Sequence, residues 1–334
     1  MVKEKSWINR NQRSFLKDIV PLDMPLSMQI EPTGACNFRC NYCYHSLDSN
    51  KQRPAKSLSM DIFKKFISDA SDFPRKLKSV TFCGGGEPLL NNDIYKMVSL
   101  TNQVANETVI LTNGSLLNKD RISKIIDSNL GTLRVSLQGI CKEDYLNNCN
   151  FDINFEQFLE NLEYLYKNKG NTKIVLKMPD IAINTEEKIE KFHKLFEDKC
   201  DNLTVQVISN LVSELDYNKI QVHSNNSLYG EKLQSINVCP QIFFTMIMDQ
   251  EGNIFPCSDA YYNFTSPKIG NIKNNTLKEI WNSEELKTLR INHLEGKRFC
   301  LNSCKDCDHI NALNNKFDNL DDCREEILKK FLEA

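Results

Sequence analysis

Cys36-Asn37-Phe38-Arg39-Cys40-Asn41-Tyr42-Cys43 directly follows Ser27 to Glu31, an apolar-alternating run that reads as a β-strand. Three thiolates this close on one loop can ligate three irons of a four-iron cluster, leaving the fourth iron without a local cysteine. An open iron is a place to bind a substrate or cofactor. Zinc is the competing reading, and it needs a fourth cysteine or histidine at a matching distance. His45 is the only nearby candidate, and two residues past Cys43 it stands too close to wrap around the same tetrahedral ion. Disulfides are not expected, because Met1 to Trp7 is followed by the polar Ile8 to Arg13 and not by the apolar core of a secretory signal.

Outward from this loop, short β-branched runs alternate with longer amphipathic stretches between residues 25 and 210, the sequence form of a repeated strand-helix unit with a parallel sheet. The expected strands are Ser27 to Glu31, Ser79 to Phe82, Thr108 to Leu111, Thr132 to Leu137, Lys173 to Lys177 and Leu203 to Ile208. Apolar residues at three- and four-residue intervals predict helices over Met60 to Ala70, Asp93 to Val104, Asp120 to Asp127, Phe155 to Lys167 and Thr185 to Phe196.

About forty residues after the cysteines, Ser79-Val80-Thr81-Phe82-Cys83-Gly84-Gly85-Gly86-Glu87-Pro88 runs from a strand into a glycine turn and a carboxylate. Together with the cysteine spacing and the aromatic Tyr42 before the last cysteine, this resembles the radical S-adenosylmethionine enzymes. The resemblance implies that Cys36, Cys40 and Cys43 hold a 4Fe–4S cluster and that S-adenosylmethionine chelates its open iron. It further implies that Gly85, Gly86 and Glu87 hold the cofactor's amino group, with Tyr42 also at the cofactor. Glycine lets the backbone approach a ligand, and a carboxylate satisfies an ammonium. The implied fold is an α/β partial (βα)6 TIM-like barrel; periodicity alone does not separate it from an open sheet.

A second cysteine set begins at Cys239. Cys239 and Cys257 bracket an apparent β-hairpin, Met246 to Met248 and Asn253 to Phe255, turning at Asp249 to Gly252, within a strand-like run from Phe243. A predicted helix, Leu277 to Ile291, leads to Cys304-Lys305-Asp306-Cys307. Four thiolates from a hairpin and a knuckle can fully ligate one cluster; a structural zinc site would also be satisfied by them. The segment, with Ile269-Gly270-Asn271-Ile272 and Leu277-Lys278-Glu279-Ile280-Trp281-Asn282, resembles the Twitch and SPASM auxiliary-cluster extensions of the same family. The longer SPASM cysteine set is not met, which favours one auxiliary 4Fe–4S cluster, with Cys300 either a packed thiol or an alternative ligand. The expected organisation is an N-terminal extension (1–24), a partial barrel (25–210), an auxiliary-cluster domain of β-hairpin and helix (211–310) and a helical tail (311–334) whose pattern runs from Asp321 to Leu332.

In parallel barrels the active site lies at the carboxyl ends of the strands. Beyond the two motifs these ends offer the Thr112-Asn113-Gly114 turn, Ser136 with Gln138, Lys177 with Asp180, and Ser209 with Asn210. Ser136 and Asn113 are the expected further cofactor contacts, although Asn-Gly is also a common turn dipeptide.

In the resembled family a 5′-deoxyadenosyl radical abstracts a hydrogen atom from substrate, and relatives that oxidise their substrate pass an electron to an auxiliary cluster. A dehydrogenase then needs a base, for which Arg134, Lys177, Asp180, Glu214, Asp216 and His223 are candidates. An epimerase needs a hydrogen donor, and Cys83, Cys141, Cys149, Cys200, Cys300 and Cys323 are unassigned thiols. The spacing of Cys239, Cys257, Cys304 and Cys307 resembles that of an aminocyclitol alcohol dehydrogenase, and residues 1–24 are too few for a peptide leader-binding domain. The expected substrate is therefore a small carbohydrate-like molecule, with a flavodoxin or ferredoxin type reductant. A peptide-modifying enzyme and a non-catalytic electron carrier are the alternatives; the carrier has no use for Gly85-Gly86-Glu87.

Composition agrees. The chain has 334 residues, 40% hydrophobic and 26% charged, enough for one large or two modest cores. Forty-two basic against forty-four acidic residues leave no electrostatic reason for nucleic acid or a membrane surface as partner. No apolar run reaches bilayer length, and 13 cysteines fit metal ligation in a reducing compartment, so the expected location is cytoplasmic.

Overall fold

A computed structural model describes residues 13–47, 55–208, 212, 214–217, 227, 232–258, 268–307 and 309–333. Six parallel strands follow one another in sequence order: β1 (Ser27–Ile30), β2 (Ser79–Phe82), β3 (Thr108–Thr112), β4 (Thr132–Ser136), β5 (Lys173–Pro179) and β6 (Asn202–Gln206). The sheet does not end at β1. Strand β7 (Thr245–Met248) pairs with its free edge in parallel, β8 (Asn253–Phe255) pairs antiparallel with β7, and β9 (Gly270–Asn271) with β8. The result is one open sheet in the order β6-β5-β4-β3-β2-β1-β7-β8-β9, so the expected hairpin is an extension of the barrel sheet itself. Side chains reinforce this seam, where Ser27 Oγ donates to Thr245 Oγ1 at 3.1 Å.

The strands alternate as their period of two requires. Met28, Ile30, Val80 and Phe82 are buried, whereas Gln29 and Thr81 turn a half-buried polar face to the concave side. The buried face packs beneath α2 (Met60–Ser71), α3 (Ile94–Thr101), α4 (Lys119–Asp127), α6 (Phe155–Asn168) and α7 (Glu186–Phe196). Four of these five helix starts have a local side-chain cause, α3 being the exception. Ser59, Asn118, Asn154 and Thr185 accept hydrogen bonds from backbone N–H groups three residues on. An unexpected helix, α5 (Lys142–Cys149), precedes α6. It buries only Tyr145 and Cys149, a single i,i+4 pair too sparse to show as an apolar stripe.

Two further expectations are corrected. The helix predicted over Leu277 to Ile291 is broken into α8 (Leu277–Trp281) and α9 (Glu284–Leu294), because Ser283 accepts from the Leu286 N–H and starts a new N-terminus. The strand-like run from Phe243 begins instead as a 3-10 turn, Gln241–Phe243, with the strand starting at Thr245. The hairpin turn is as expected: Gly252 has φ +82° and Asp249 accepts from the Glu251 and Asn253 N–H groups.

Helix α1 (Leu16–Ile19), the short α10 (His309–Ala312) and α11 (Arg324–Glu333) complete the described α-helices. Leu16 and Val20 form a second apolar cluster with Ile242, Phe243, Leu294, Ile327 and Phe331. The C-terminal helix therefore packs on the β7–α9 region and not on the six-strand barrel. Phe15 meets Phe317 at 5.2 Å and does not lie under the barrel; Trp7 lies outside the described residues. Among the described residues no helix is long and apolar enough to cross a membrane.

Candidate functional site

At the carboxyl ends of β1 to β6 a cavity of about 310 Å³ is lined by Cys36, Cys40 and Cys43. Their loop is held from below. The N–H groups of Arg39 and Asn41 donate to the carbonyls of Cys149 and Asn148 at 2.8 and 2.9 Å, so the end of α5 is the floor of the loop. Phe38 is buried against Tyr145 and Phe151, and Arg39 Nη1 donates to the Cys36 and Phe38 carbonyls. Burial pushes the Cys36 and Cys43 thiols up to about 12. Cys40 is pushed up by its hydrogen bond to Cys149 and by burial. Iron binding at these thiols would therefore displace their protons. Among the described residues no three His, Cys, Asp or Glu side chains converge on a single ion. A four-iron cluster places each thiolate on its own iron, and three thiols around one cavity fit that requirement.

The glycine turn packs directly on this loop. A Cβ on Gly86 would stand 2.2 Å from the Ala35 carbonyl oxygen and 2.4 Å from that of Thr33, so only glycine fits. Gly84 and Gly86 line the cavity and Gly85 does not; the Gly85 carbonyl accepts from Tyr44 Oη and pairs with His45 Nε2. His45 is thereby occupied away from the thiols. Glu87 also lines the cavity, but its carboxylate is committed to the chain. It accepts from Thr112 Oγ1 at 2.6 Å, the Asn113 N–H at 2.7 Å and the Leu89 N–H at 3.0 Å. Burial pushes this carboxyl up while those donors oppose it. Its observed work is to join the ends of β2 and β3.

Asn113 belongs to the same scaffold. Its Nδ2 donates to Asn37 Oδ1 at 2.8 Å, and Asn37 Nδ2 donates to Ser115 Oγ at 2.8 Å, tying the cysteine loop to the β3 turn. Tyr42 Oη donates to Gln138 Oε1. Ser136 lines the cavity opposite Lys177 in the β4–β5 register. Gln29 and Gln206, both overlooked in the sequence, line it as well. Their signal was a polar residue at a concave-facing strand position.

Of the candidate bases, Lys177 reaches the cavity, and burial followed by the Arg134 charge pushes its ammonium down to about 8. Arg134, on the same strand face as Ser136, is lowered by burial. Asp180 caps a turn, accepting from the Ile181 and Ile208 N–H groups, and burial raises it. Glu214 and Asp216 are exposed. His223, Ser209 and Asn210 lie outside the described residues. Cys83 lines the cavity, with burial pushing its thiol up to about 12; Cys141, Cys149, Cys200 and Cys323 line neither this cavity nor the next.

A second cavity, about 220 Å³, is lined by Cys239, Cys257, Cys304 and Cys307 together. Cys239 precedes the turn into β7, Cys257 follows β8, and the other two close the ring from the segment after α9. His293 Nδ1 accepts from the Cys239 N–H at 3.2 Å, and Arg298 Nη1 donates to the Cys304 and Cys307 carbonyls at 2.7 and 3.3 Å. Cys300 is exposed and outside the ring. Four thiols and no fifth fit one fully ligated cluster.

Residues 30–196 match the model of the Radical SAM superfamily, and residues 239–308 that of an iron-sulfur cluster-binding domain, SPASM. The chain is 30% identical over 117 residues to a PqqA peptide cyclase of Bradyrhizobium diazoefficiens, covering 35% of this chain and 30% of that one. It therefore spans under a third of that relative's length. It is 24% identical over 331 residues to an AdoMet-dependent heme synthase of Methanosarcina barkeri, covering 84% and 89% of the two chains. The structure of BtrN in complex with AdoMet and 2-DOIA aligns with a TM-score of 0.58 at 19% identity, covering 85% of this chain and 93% of BtrN.

Proposed function

Because the chain belongs to the Radical SAM superfamily and carries a SPASM cluster-binding domain, we propose that it is an oxidoreductase acting on a carbinol carbon. The substrate class is a sugar, aminocyclitol or sugar nucleotide, and an auxiliary iron–sulfur cluster accepts the electron. A flavodoxin or ferredoxin type protein is the proposed reductant. Cys36, Cys40 and Cys43 would hold the open cluster, and Cys239, Cys257, Cys304 and Cys307 the auxiliary one. When bound, the open cluster and S-adenosylmethionine supply hydrogen-atom abstraction.

The observation that carries the substrate class is the chemistry of the cavity wall. Gln29, Ser136, Gln138, Lys177 and Gln206 face one space, a set of donors and acceptors suited to hydroxyl groups. Lys177, on this wall, would take the carbinol proton, a role supported by an ammonium lowered to about 8 and so partly neutral near physiological pH. Gly84 and Gly86 leave the backbone open to the cofactor, and Glu87 acts through the Asn113 turn that it positions.

Epimerisation is the second reading. It is favoured by Cys83, the one unassigned thiol on this cavity, which burial keeps in the S–H form that hydrogen-atom donation requires.

The test is 5′-deoxyadenosine release by anaerobically reconstituted, reduced enzyme offered amino sugars, cyclitols, nucleotide sugars and short peptides. Transfer of deuterium from a labelled carbinol carbon into the nucleoside supports the reading. A response to peptides alone refutes the substrate class. A ketone product identifies oxidation, and an inverted alcohol with solvent hydrogen at carbon identifies epimerisation.

A further inference from the structure

The wall of the auxiliary cavity contains polar groups that the fold leaves unused. His293 is 1% exposed and Arg298 5%, and both line the cavity with the four thiols. His293 Nδ1 accepts from the backbone N–H of Cys239, which can only donate, so Nδ1 carries a lone pair and the ring proton sits on Nε2. That Nε2–H is buried with no hydrogen bond of its own among the described residues, although the Asn237 backbone also lies beside the ring. Arg298 spends Nη1 on the knuckle carbonyls, and its Nε–H is likewise buried and unpartnered. His309, also on this wall, has an unpartnered Nδ1. Protein interiors rarely leave such groups unpaired, because each costs on the order of 1–3 kcal/mol. Two orphaned donors beside one thiol-ringed cavity point to an acceptor within it.

The acceptor that four thiolates imply is the cluster itself. Its thiolate and sulfide sulfurs accept N–H bonds, and every electron added makes them more negative. Donors fixed around it therefore favour the reduced state. Resting on the cluster assignment proposed above, we propose that the His293 Nε2–H and the Arg298 Nε–H donate hydrogen bonds to the auxiliary cluster's sulfurs and raise its reduction potential. His293 and Arg298 are then positioning and tuning residues, each also bound to the backbone of a cysteine ligand, so the ring's geometry and its potential are set by the same side chains. This makes the second site an electron acceptor and not merely a structural staple.

The experiment uses the full chain carrying Cys36→Ala, Cys40→Ala and Cys43→Ala, reconstituted anaerobically with iron and sulfide so that only the auxiliary cluster contributes. Midpoint potentials come from EPR-monitored titration, with iron content measured on each sample. His293→Met and Arg298→Met are expected to retain iron and shift the potential downward, further in the double variant. His293→Gln, which restores both an acceptor and a donor, is expected to recover much of the shift. Full iron with an unshifted potential in both Met variants overturns the proposal and assigns those donors to water. If the Met variants lose iron, ENDOR on the parent decides. Exchangeable protons strongly coupled to the reduced cluster support the proposal, and their absence overturns it. A parent that binds no iron refutes the underlying cluster assignment instead.

Discussion

The backbone N–H of Asn113 donates to Glu87 Oε2 at 2.7 Å, joining the loop after β2 to the loop after β3 across 26 residues of sequence. Thr112 Oγ1 and the Leu89 N–H bind the other oxygen, so one carboxylate holds three donors from two strand ends. Asn113 in turn grips Asn37 of the cysteine loop. The glutamate at the end of the glycine turn thus reaches the thiol loop through two hydrogen-bonded side chains.

Glu87→Ala strands those donors in a buried site and is expected to lower stability by about 2–4 kcal/mol, read from urea denaturation of the unreconstituted chain. Glu87→Gln keeps one acceptor oxygen and is expected to lose less. S-adenosylmethionine affinity should fall with either change, in the same order as stability. An alanine variant with both stability and affinity unchanged would contradict the strut.

Gly86→Ala drives a methyl into the Ala35 and Thr33 carbonyls. The cysteine loop must move, and the expected result is loss of the first site's iron with the second site's retained. Iron analysis together with the EPR of the reduced protein distinguishes this from general unfolding, which would empty both.

Changing Cys36, Cys40 and Cys43 together to Ala should remove one cluster and leave the other, since the two cysteine sets line separate cavities. Cys300→Ser should leave both clusters in place, because that thiol is exposed outside the ring. Loss of all iron in the triple variant, or of any in Cys300→Ser, would break the two-site assignment.

Lys177 gives a pH dependence of definite sign. Its folded pKa lies below the ordinary lysine value, so the neutral form grows as pH rises through about 8. Substrate oxidation should rise on the same limb. Lys177→Met is expected to lower the rate by about 10²-fold or more and to flatten the limb. A variant that keeps the wild-type profile removes Lys177 from proton transfer.

The secondary structure shows why some features were readable before folding. Ser79–Phe82 folds as the strand its sequence predicts because alternation and β-branching are local properties of the chain. The helices with wide apolar faces were equally legible, whereas α5, with only Tyr145 and Cys149 turned inward, was not. The break at Ser283 was hidden because apolar periodicity runs on across a helix cap.

Residue type and spacing alone determined that this chain has two cysteine sets and a glycine-carboxylate turn on a strand-helix repeat, since residue identity, spacing and local periodicity are properties of the chain before it folds. Three further features depended on the fold. The pairing of β7 with β1 makes the auxiliary hairpin part of the barrel sheet. Glu87 turns its carboxylate onto Asn113, and Cys300 is left outside the ring while His293 and Arg298 turn into it. Each depends on groups brought together from distant parts of the chain. Local propensity carries no information about them, and the burial of unpaired polar groups appears only once the whole chain has closed around its cavities.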